Sequence, residues 1–164
     1  MTIHSDTFFY TSAILLGVVA GMRSMMAPAI LALTLSRRPE VAPAASPGHW
    51  FAMRPVAIIL GLSALGELIV DKLPQTPSRT ALGPFIVRIV SGAFTGAALL
   101  QIGQLNLWIG AACGTIGALI GTFGGFHARR YIGRATGIRD PYIGALEDVV
   151  AIAIAGTVMA MLVA

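Results

Sequence analysis

The chain has 164 residues, of which 56% are apolar and only 11% are charged, and its mean hydropathy is +0.82. Soluble domains rarely have this composition, and the formal net charge of +4 is too small and too scattered to indicate a nucleic-acid partner. We therefore predict one all-α domain over residues 1–164, an integral membrane protein with a bundle of about five transmembrane helices.

The first apolar run, from Phe8 to Leu35, exceeds the roughly 20 residues that a helix needs to cross a bilayer. Because Pro28 cannot donate a hydrogen bond to the Ser24 carbonyl, we predict a first helix that is broken near Arg23–Pro28. Arg23 then either binds a ligand or pairs with an acid elsewhere. A re-entrant hairpin at this position is the alternative to one broken span. The residues before the run lack Lys and Arg, so we expect no cleaved leader.

Four more spans are predicted, at about 54–73, at about 81–100, from Asn106 onwards and at about 142–163. A proline-rich loop, a short polar turn and a basic connection from His127 to Arg139 lie between spans, and Asp140 is expected to cap the last helix. Glycines at 110, 114, 117, 121 and 125 give the fourth helix a glycine zipper. We predict that this helix is central and the most tightly packed. The alternative to packing within the chain is that its glycine stripe forms the interface of a homo-oligomer.

Charged residues inside these spans are the candidate site. Glu67 and Asp71 share one helix face at i, i+4, and a charge in lipid needs a partner or water. We predict that one of these acids, Arg88, and either Glu147 or Asp148 meet in one network. Of the adjacent pair, we expect Glu147 to point inward.

The basic residues predict an orientation. Five spans place six of them on the side of the N-terminus and three on the opposite side, so we predict a bacterial inner-membrane protein with a cytoplasmic N-terminus and an exported C-terminus. The six are Lys72, Arg79, Arg129, Arg130, Arg134 and Arg139, and the three are Arg37, Arg38 and Arg54.

A weak internal symmetry is also present. The segment Gly17 to Arg23 resembles Gly121 to His127, and each leads toward a span with two acids. If spans one and two are repeated as spans four and five, the odd span between them makes the second copy inverted, as in many secondary transporters. The alternative is chance similarity between glycine-rich apolar helices.

Three motifs carry a family resemblance: Gly21-Met22-Arg23-Ser24 with Pro28, the run from Glu67 to Pro74, and Ala145-Leu146-Glu147-Asp148. In this order they resemble a widespread bacterial membrane family that is known as domain of unknown function four-one-two-six. The resemblance covers most of the chain and implies the same fold and polar cluster, but it implies no activity. It implies that the family's shared residues are Arg23, Glu67, Asp71, Lys72, Glu147 and Asp148.

The sequence has no Walker loop, nucleophile elbow, HExxH or paired CxxC motif, so we expect neither an enzyme nor a bound cofactor. A metal site at His127, Glu147 and Asp148 is conceivable from its ligand types. With only one imidazole, His127 is better interpreted as an interfacial residue, and we expect no metal.

Two function classes remain. The first is a small ion- or proton-coupled transporter or channel, in which the acids bind a proton, a cation or a small polar substrate. The second is a non-transporting scaffold or lipid-binding subunit, in which the same charges hold the helices together and basic residues meet lipid headgroups. A water-filled path to the acids would distinguish them. The candidate binding residues are Arg23, Ser24, Glu67, Asp71, Arg88, Glu147 and Asp148.

Overall fold

The computed structural model describes residues 5–42, 48–70 and 81–164, and within these ranges every regular element is helical. The all-α prediction is therefore confirmed for this part of the chain. A single 3-10 turn, Pro39–Val41, lies between the second and third α-helices. The α-helices are α1 (Asp6–Met22), α2 (Met26–Arg37), α3 (His49–Ala52), α4 (Arg54–Val70), α5 (Leu82–Ile102), α6 (Leu107–Thr136) and α7 (Asp140–Val163).

Helix α6 is longer than predicted. It begins where expected, because the side chain of Asn106 accepts a hydrogen bond from the backbone N–H of Trp108 at 2.9 Å. It then continues to Thr136 and ends at Gly137, whose φ of 66° is favourable for glycine. The prediction of a long basic connection after this helix is therefore wrong, because the segment before Gly137 has no proline and its glycines stay helical. Asp140 is the first residue of α7, and Arg139 takes the cap position.

Helices α1 and α5 are antiparallel. A Cβ atom built on Gly103, just after α5, would lie 2.8 Å from the ring of Phe9 near the start of α1. At the other end of α1, the hydroxyl of Ser91 in α5 donates to the carbonyl of Ser24. High residue numbers in one helix therefore meet low numbers in the other. Helix α5 is antiparallel to α6 in the same way, because Gly96 packs on Gly110 and Gly92 on Ala118.

Helices α1 and α6 are parallel and approach at backbone distance. A Cβ atom on Gly17 would lie 2.3 Å from the carbonyl oxygen of Gly114, and one on Gly21 would lie 2.3 Å from that of Ala118. The small-residue stripe of α6 therefore packs within the chain. Helix α6 is nevertheless not central, because its opposite face is exposed, with Trp108 at 75% and Phe123 at 46%. The predicted central position is wrong, and α1 lies between α5, α6 and α7.

The first and last helices are antiparallel. Arg23, after the end of α1, bonds Asp148 near the start of α7, while Phe8 and Met161 line one apolar cleft near the opposite ends of these helices. The start of α1 and the end of α7 therefore lie at the same end of the described bundle. Five alternating spans would make α1 and α7 parallel, so the helix directions do not fit that alternation, while the side of the membrane on which each chain end lies stays a prediction. The inverted repeat is wrong, since α1 and α6 run in the same direction.

The reason for this polarity is the turn after α1. Leu31 and Leu35 of α2 are fully buried in the same apolar cluster as Leu16 of α1, so α2 folds back beside the bundle. Helix α4 then runs antiparallel to α2, with Glu67 near Met25 and Gly61 near Leu33. The first apolar run thus forms a hairpin of two helices, the shape that the alternative prediction gives it.

Among the described residues, four charged side chains are buried, while many large apolar side chains are exposed, an unusual combination for a soluble protein. Arg23 is 1% and Arg88 is 4% exposed, whereas Leu62 is 64% exposed. Three helices, α5, α6 and α7, are long and apolar enough to cross a membrane. With 21 residues, α5 is about 32 Å long, close to the ~30 Å of a bilayer's hydrocarbon core.

Candidate functional site

The turn between α1 and α2 is the centre of the polar cluster. Arg23 leaves the helical conformation with φ −139° and ψ 107°, and its N–H still donates to the carbonyl of Val19 at 2.7 Å. Met26 then begins α2, with its N–H donating to the carbonyl of Arg23 at 3.2 Å. The predicted break is therefore at residues 23–25, and Pro28 lies in the first turn of α2, where proline is tolerated.

Glu67 of α4 binds this turn through both carboxylate oxygens. The backbone N–H and the hydroxyl of Ser24 donate to Oε1 at 2.8 and 2.7 Å, and the N–H of Met25 donates to Oε2 at 2.8 Å. The first N–H groups of a helix have no partner within the helix, and its N-terminal end is partially positive. All the donors that the structure gives to this carboxylate are neutral, so the start of α2 stabilises the charge of Glu67.

The carbonyl of Ser24 also has a partner. As predicted, Pro28 frees this oxygen, and the hydroxyl of Ser91 in α5 donates a hydrogen bond to it. The hydroxyl of Thr95, one turn further along α5, donates to the carbonyl of Ser91 at 2.8 Å. On the α6 side, Thr122 donates to the carbonyl of Gly21 at 3.2 Å. Side chains from neighbouring helices thus bind the backbone on both sides of the break.

Arg23 pairs with Asp148 of α7. Its Nε atom donates to Oδ1 of Asp148 at 2.6 Å, and the two side chains are 1% and 10% exposed. Breaking a buried pair of this kind leaves an uncompensated charge, which costs far more than an exposed pair contributes. Of the two interpretations of Arg23, the structure shows the pairing with an acid.

Glu147 faces a different partner from its neighbour. Its Oε2 atom lies 3.6 Å from Nη1 of Arg129 in α6, and Arg129 also forms a bidentate pair with Asp140 at 2.6 Å. Successive residues on a helix point about 100° apart, yet both side chains are buried, with 8% of Glu147 and 10% of Asp148 exposed. Glu147 is therefore buried, as expected, but Asp148 is buried as well and pairs with Arg23.

The remaining predicted residues are only partly within the described ranges. Arg88 is buried on the same face of α5 as Ser91, three residues away. Asp71 and Lys72 lie outside the described residues. The structure therefore brings together Arg23, Ser24, Glu67 and Asp148, and it places Glu147 at the α6–α7 contact.

Two residues in this arrangement were not predicted from the sequence. Ser91 is a short polar side chain one turn after Arg88, and this spacing is the signal that could have placed it on the same helix face. Arg129 was assigned to a connection, and it is recognised as a helix residue only if α6 is continued to Gly137. Ser91 carries no charge and Arg129 lies outside the predicted spans, so neither residue has the signal of a charge inside an apolar span.

No metal cluster of at least three His, Cys, Asp or Glu residues occurs among the described residues. His127 is exposed, and its Nδ1 atom lies 2.7 Å from the carbonyl oxygen of Phe123 in its own helix. Glu147 and Asp148 instead have the arginine partners described above. The chemistry offered by the described cluster is thus that of a carboxylate, an ion pair and hydrogen bonds at a helix break.

Comparison with known proteins gives no assignment. No protein-family model matches the chain, and no curated protein and no solved structure is significantly similar to it. The family resemblance of the three sequence motifs therefore stays a prediction.

Proposed function

We propose that this protein is a small multi-pass membrane protein that transports an ion or a small polar substrate with proton coupling, and that Glu67 carries the proton. The observation behind the proposal is the carboxylate of Glu67 at the start of α2, where three neutral donors bind it beside an exposed apolar helix surface. Ionisable groups within membrane proteins, and helices interrupted at the binding site, are typical of transporters.

Protonation of Glu67 would change the contact between two helices. The ionised carboxylate accepts three hydrogen bonds from the turn, whereas a carboxylic acid has a smaller acceptor capacity and no charge for the dipole of α2 to stabilise. Helix α4 packs mainly on α2 and on the short α3. We infer that a proton on Glu67 loosens α4 from the turn and that ionisation restores the contact.

In this mechanism Asp148 has a different role from Glu67. Asp148 is bonded to the buried guanidinium of Arg23, and arginine stays protonated under all physiological conditions. We infer that this pair fixes α7 to the turn while Glu67 exchanges its proton. One acid thus positions the site and the other moves charge.

The proposal includes an orientation that differs from the sequence prediction. Given the helix directions, the segments after α2 and α5 share a side with the start of α1 and the end of α7. Four of the predicted basic residues lie at the opposite end, Arg129, Arg130, Arg134 and Arg139, while Lys72 and Arg79 lie outside the described residues. By the positive-inside rule we propose that this second side is cytoplasmic, and that the start of α1 and the end of α7 face the other side of the membrane.

The test is proton and ion flux into liposomes that contain the purified protein, with a panel of monovalent and divalent ions. We expect Glu67→Gln to abolish flux while the helical content remains, because glutamine has nearly the same shape but cannot exchange a proton. Asp6→Asn is the matched control, since Asp6 is an exposed acid in the first turn of α1. Equal flux in the wild type and Glu67→Gln, for every ion, would contradict proton coupling at Glu67.

A scaffold is the second candidate, and one observation favours it. Glu67 and Asp148 come from two different helices and both bind the residues of one turn, so the same contacts would hold a passive bundle together. Absence of flux for every ion in wild-type liposomes, with the protein folded, would support this candidate.

A further inference from the structure

A cleft between α2 and α4 is separate from the polar turn. It has a volume of about 490 Å³, and every residue that lines it is apolar. Its walls include Met26 and Leu33 of α2, and Ala57 and Leu68 of α4, and Ile152 of α7 also lines it. Since α4 packs mainly on α2, this flank of α4 is open along its length.

We propose that this cleft binds one acyl chain of an anionic phospholipid, and that Arg37 and Arg54 hold the phosphate of the headgroup. The inference rests on the proposed membrane location but not on transport. On α4 the cleft extends from Ala57 to Leu68, which corresponds to about 17 Å of helix. One leaflet of a bilayer has a hydrocarbon thickness of about 15 Å, so the length fits a single acyl chain.

The charges at the two ends of the cleft determine at which end the lipid headgroup binds. Because α2 and α4 are antiparallel, Arg37 in the last turn of α2 and Arg54 at the start of α4 lie at the same end. Both arginines are exposed. At the opposite end, the carboxylate of Glu67 already binds Ser24 and Met25 and would repel a phosphate. Arginine binds phosphate through paired N–H donors, which fixes the headgroup at the arginine end.

The test uses the purified full-length protein in a neutral detergent and counts retained lipid by native mass spectrometry. The probes are phosphatidylglycerol and phosphatidylcholine with identical acyl chains. We expect preferential retention of phosphatidylglycerol, and a decrease of about fivefold for each of Arg37→Gln and Arg54→Gln. The matched controls are Arg134→Gln and Arg139→Gln, which change exposed arginines at the other end of the bundle; retention should not change.

A second pair of variants tests the acyl chain. Gly61 lines the cleft, and a Cβ atom there would meet only Leu33 at 4.0 Å, so Gly61→Leu is expected to fill the cleft and abolish retention of phosphatidylglycerol. Gly66, on the same helix, does not line the cleft and has nothing within 4 Å of a Cβ atom. Gly66→Leu should therefore retain lipid like the wild type, and melting curves of all variants show that each is folded.

Three results would overturn the proposal. Equal retention of both lipids by the wild type would remove the charge selection, and unchanged retention in the arginine variants would place the headgroup elsewhere. A dimer that Gly61→Leu dissociates, without retained lipid, would show that a second copy of the chain occupies the cleft. None of these results depends on flux, so failure here and failure of the transport proposal can be distinguished.

Discussion

Glu67 and Ser24 are joined by two hydrogen bonds to one oxygen atom, from the backbone N–H and from the hydroxyl of the serine, at 2.8 and 2.7 Å. The two residues lie 43 positions apart in the chain. A carboxylate from α4 therefore serves as the N-terminal cap of α2, a role that usually belongs to a residue next to the helix in sequence.

Removal of this cap should destabilise the protein. We expect Glu67→Ala to lower the free energy of unfolding by about 2–3 kcal/mol, because the partly buried N–H groups of Ser24 and Met25 lose their acceptor. The measurement is chemical unfolding in detergent, followed by circular dichroism. Ser63→Ala is the control, since its hydroxyl is exposed and bonds only the carbonyl of Ile59 within α4. Similar stability of the two variants would contradict the capping role.

The pair of Arg23 and Asp148 should show strong coupling in a double-mutant cycle. We expect Asp148→Asn to cost about 3–5 kcal/mol, because the buried guanidinium loses a charged partner. Combination with Arg23→Met should recover much of this loss. Asp140→Asn is the comparison, since Asp140 is 71% exposed in its pair with Arg129 and such pairs contribute at most about 1 kcal/mol. Additive effects of the Arg23 and Asp148 substitutions would disprove the coupling.

The contact between α1 and α6 predicts that leucine substitutions at Gly121 and Gly124 have very different effects on stability. A Cβ atom on Gly121 would lie 2.1 Å from the carbonyl oxygen of Val18, whereas one on Gly124 would meet nothing within 4 Å. We expect Gly121→Leu to prevent a stable fold and Gly124→Leu to melt within a few degrees of the wild type. Thermal melting in detergent is the measurement. A stable Gly121→Leu variant would mean that the two helices do not touch at this point.

The direction of the helices predicts the location of the chain ends. Reporter domains fused before Ser5 and after Ala164 should report the same side of the membrane, and a reporter inserted after Gly137 should report the opposite side. The reporter after Gly137 tests the connection between α6 and α7, which is short and exposed. Reporters on opposite sides would instead support the prediction that the first apolar run crosses the membrane once as a broken helix.

The sequence predicts where α6 and α7 begin, because Asn106 and Pro141 are typical of helix starts. It does not predict the helix directions. A reversal at residues 23–25 and a simple kink have the same signature, since none of these three residues is a glycine or a proline. Whether the chain reverses or only kinks at residues 23–25 sets the direction of every later helix. It therefore also sets the end of the bundle at which α7 ends.

The sequence predicts that charged residues form the candidate site, but it does not predict which of them contact each other. Helix rotation decides which partners residues 147 and 148 meet, and an apolar helix with small residues on several faces gives no periodic signal for that rotation. The hydrophobic pattern of α7 is nearly uniform around the helix, with buried residues on one side and exposed Val149 and Ile152 on another. Hydrogen-bond partners such as Ser91 depend on how the helices pack against each other and not on local sequence.

The distance in sequence between Arg23 and Asp148, 125 residues, has a consequence for synthesis. A ribosome adds about 5–20 residues per second, so the α1–α2 hairpin leaves it many seconds before α7 does. Glu67 follows much sooner and can bind the turn while the rest of the chain is still being made. Until α7 is inserted, the guanidinium of Arg23 lacks Asp148, and the early hairpin is a provisional structure that the last helix completes. Truncation of the C-terminal helix should therefore expose the N-terminal half to membrane proteases.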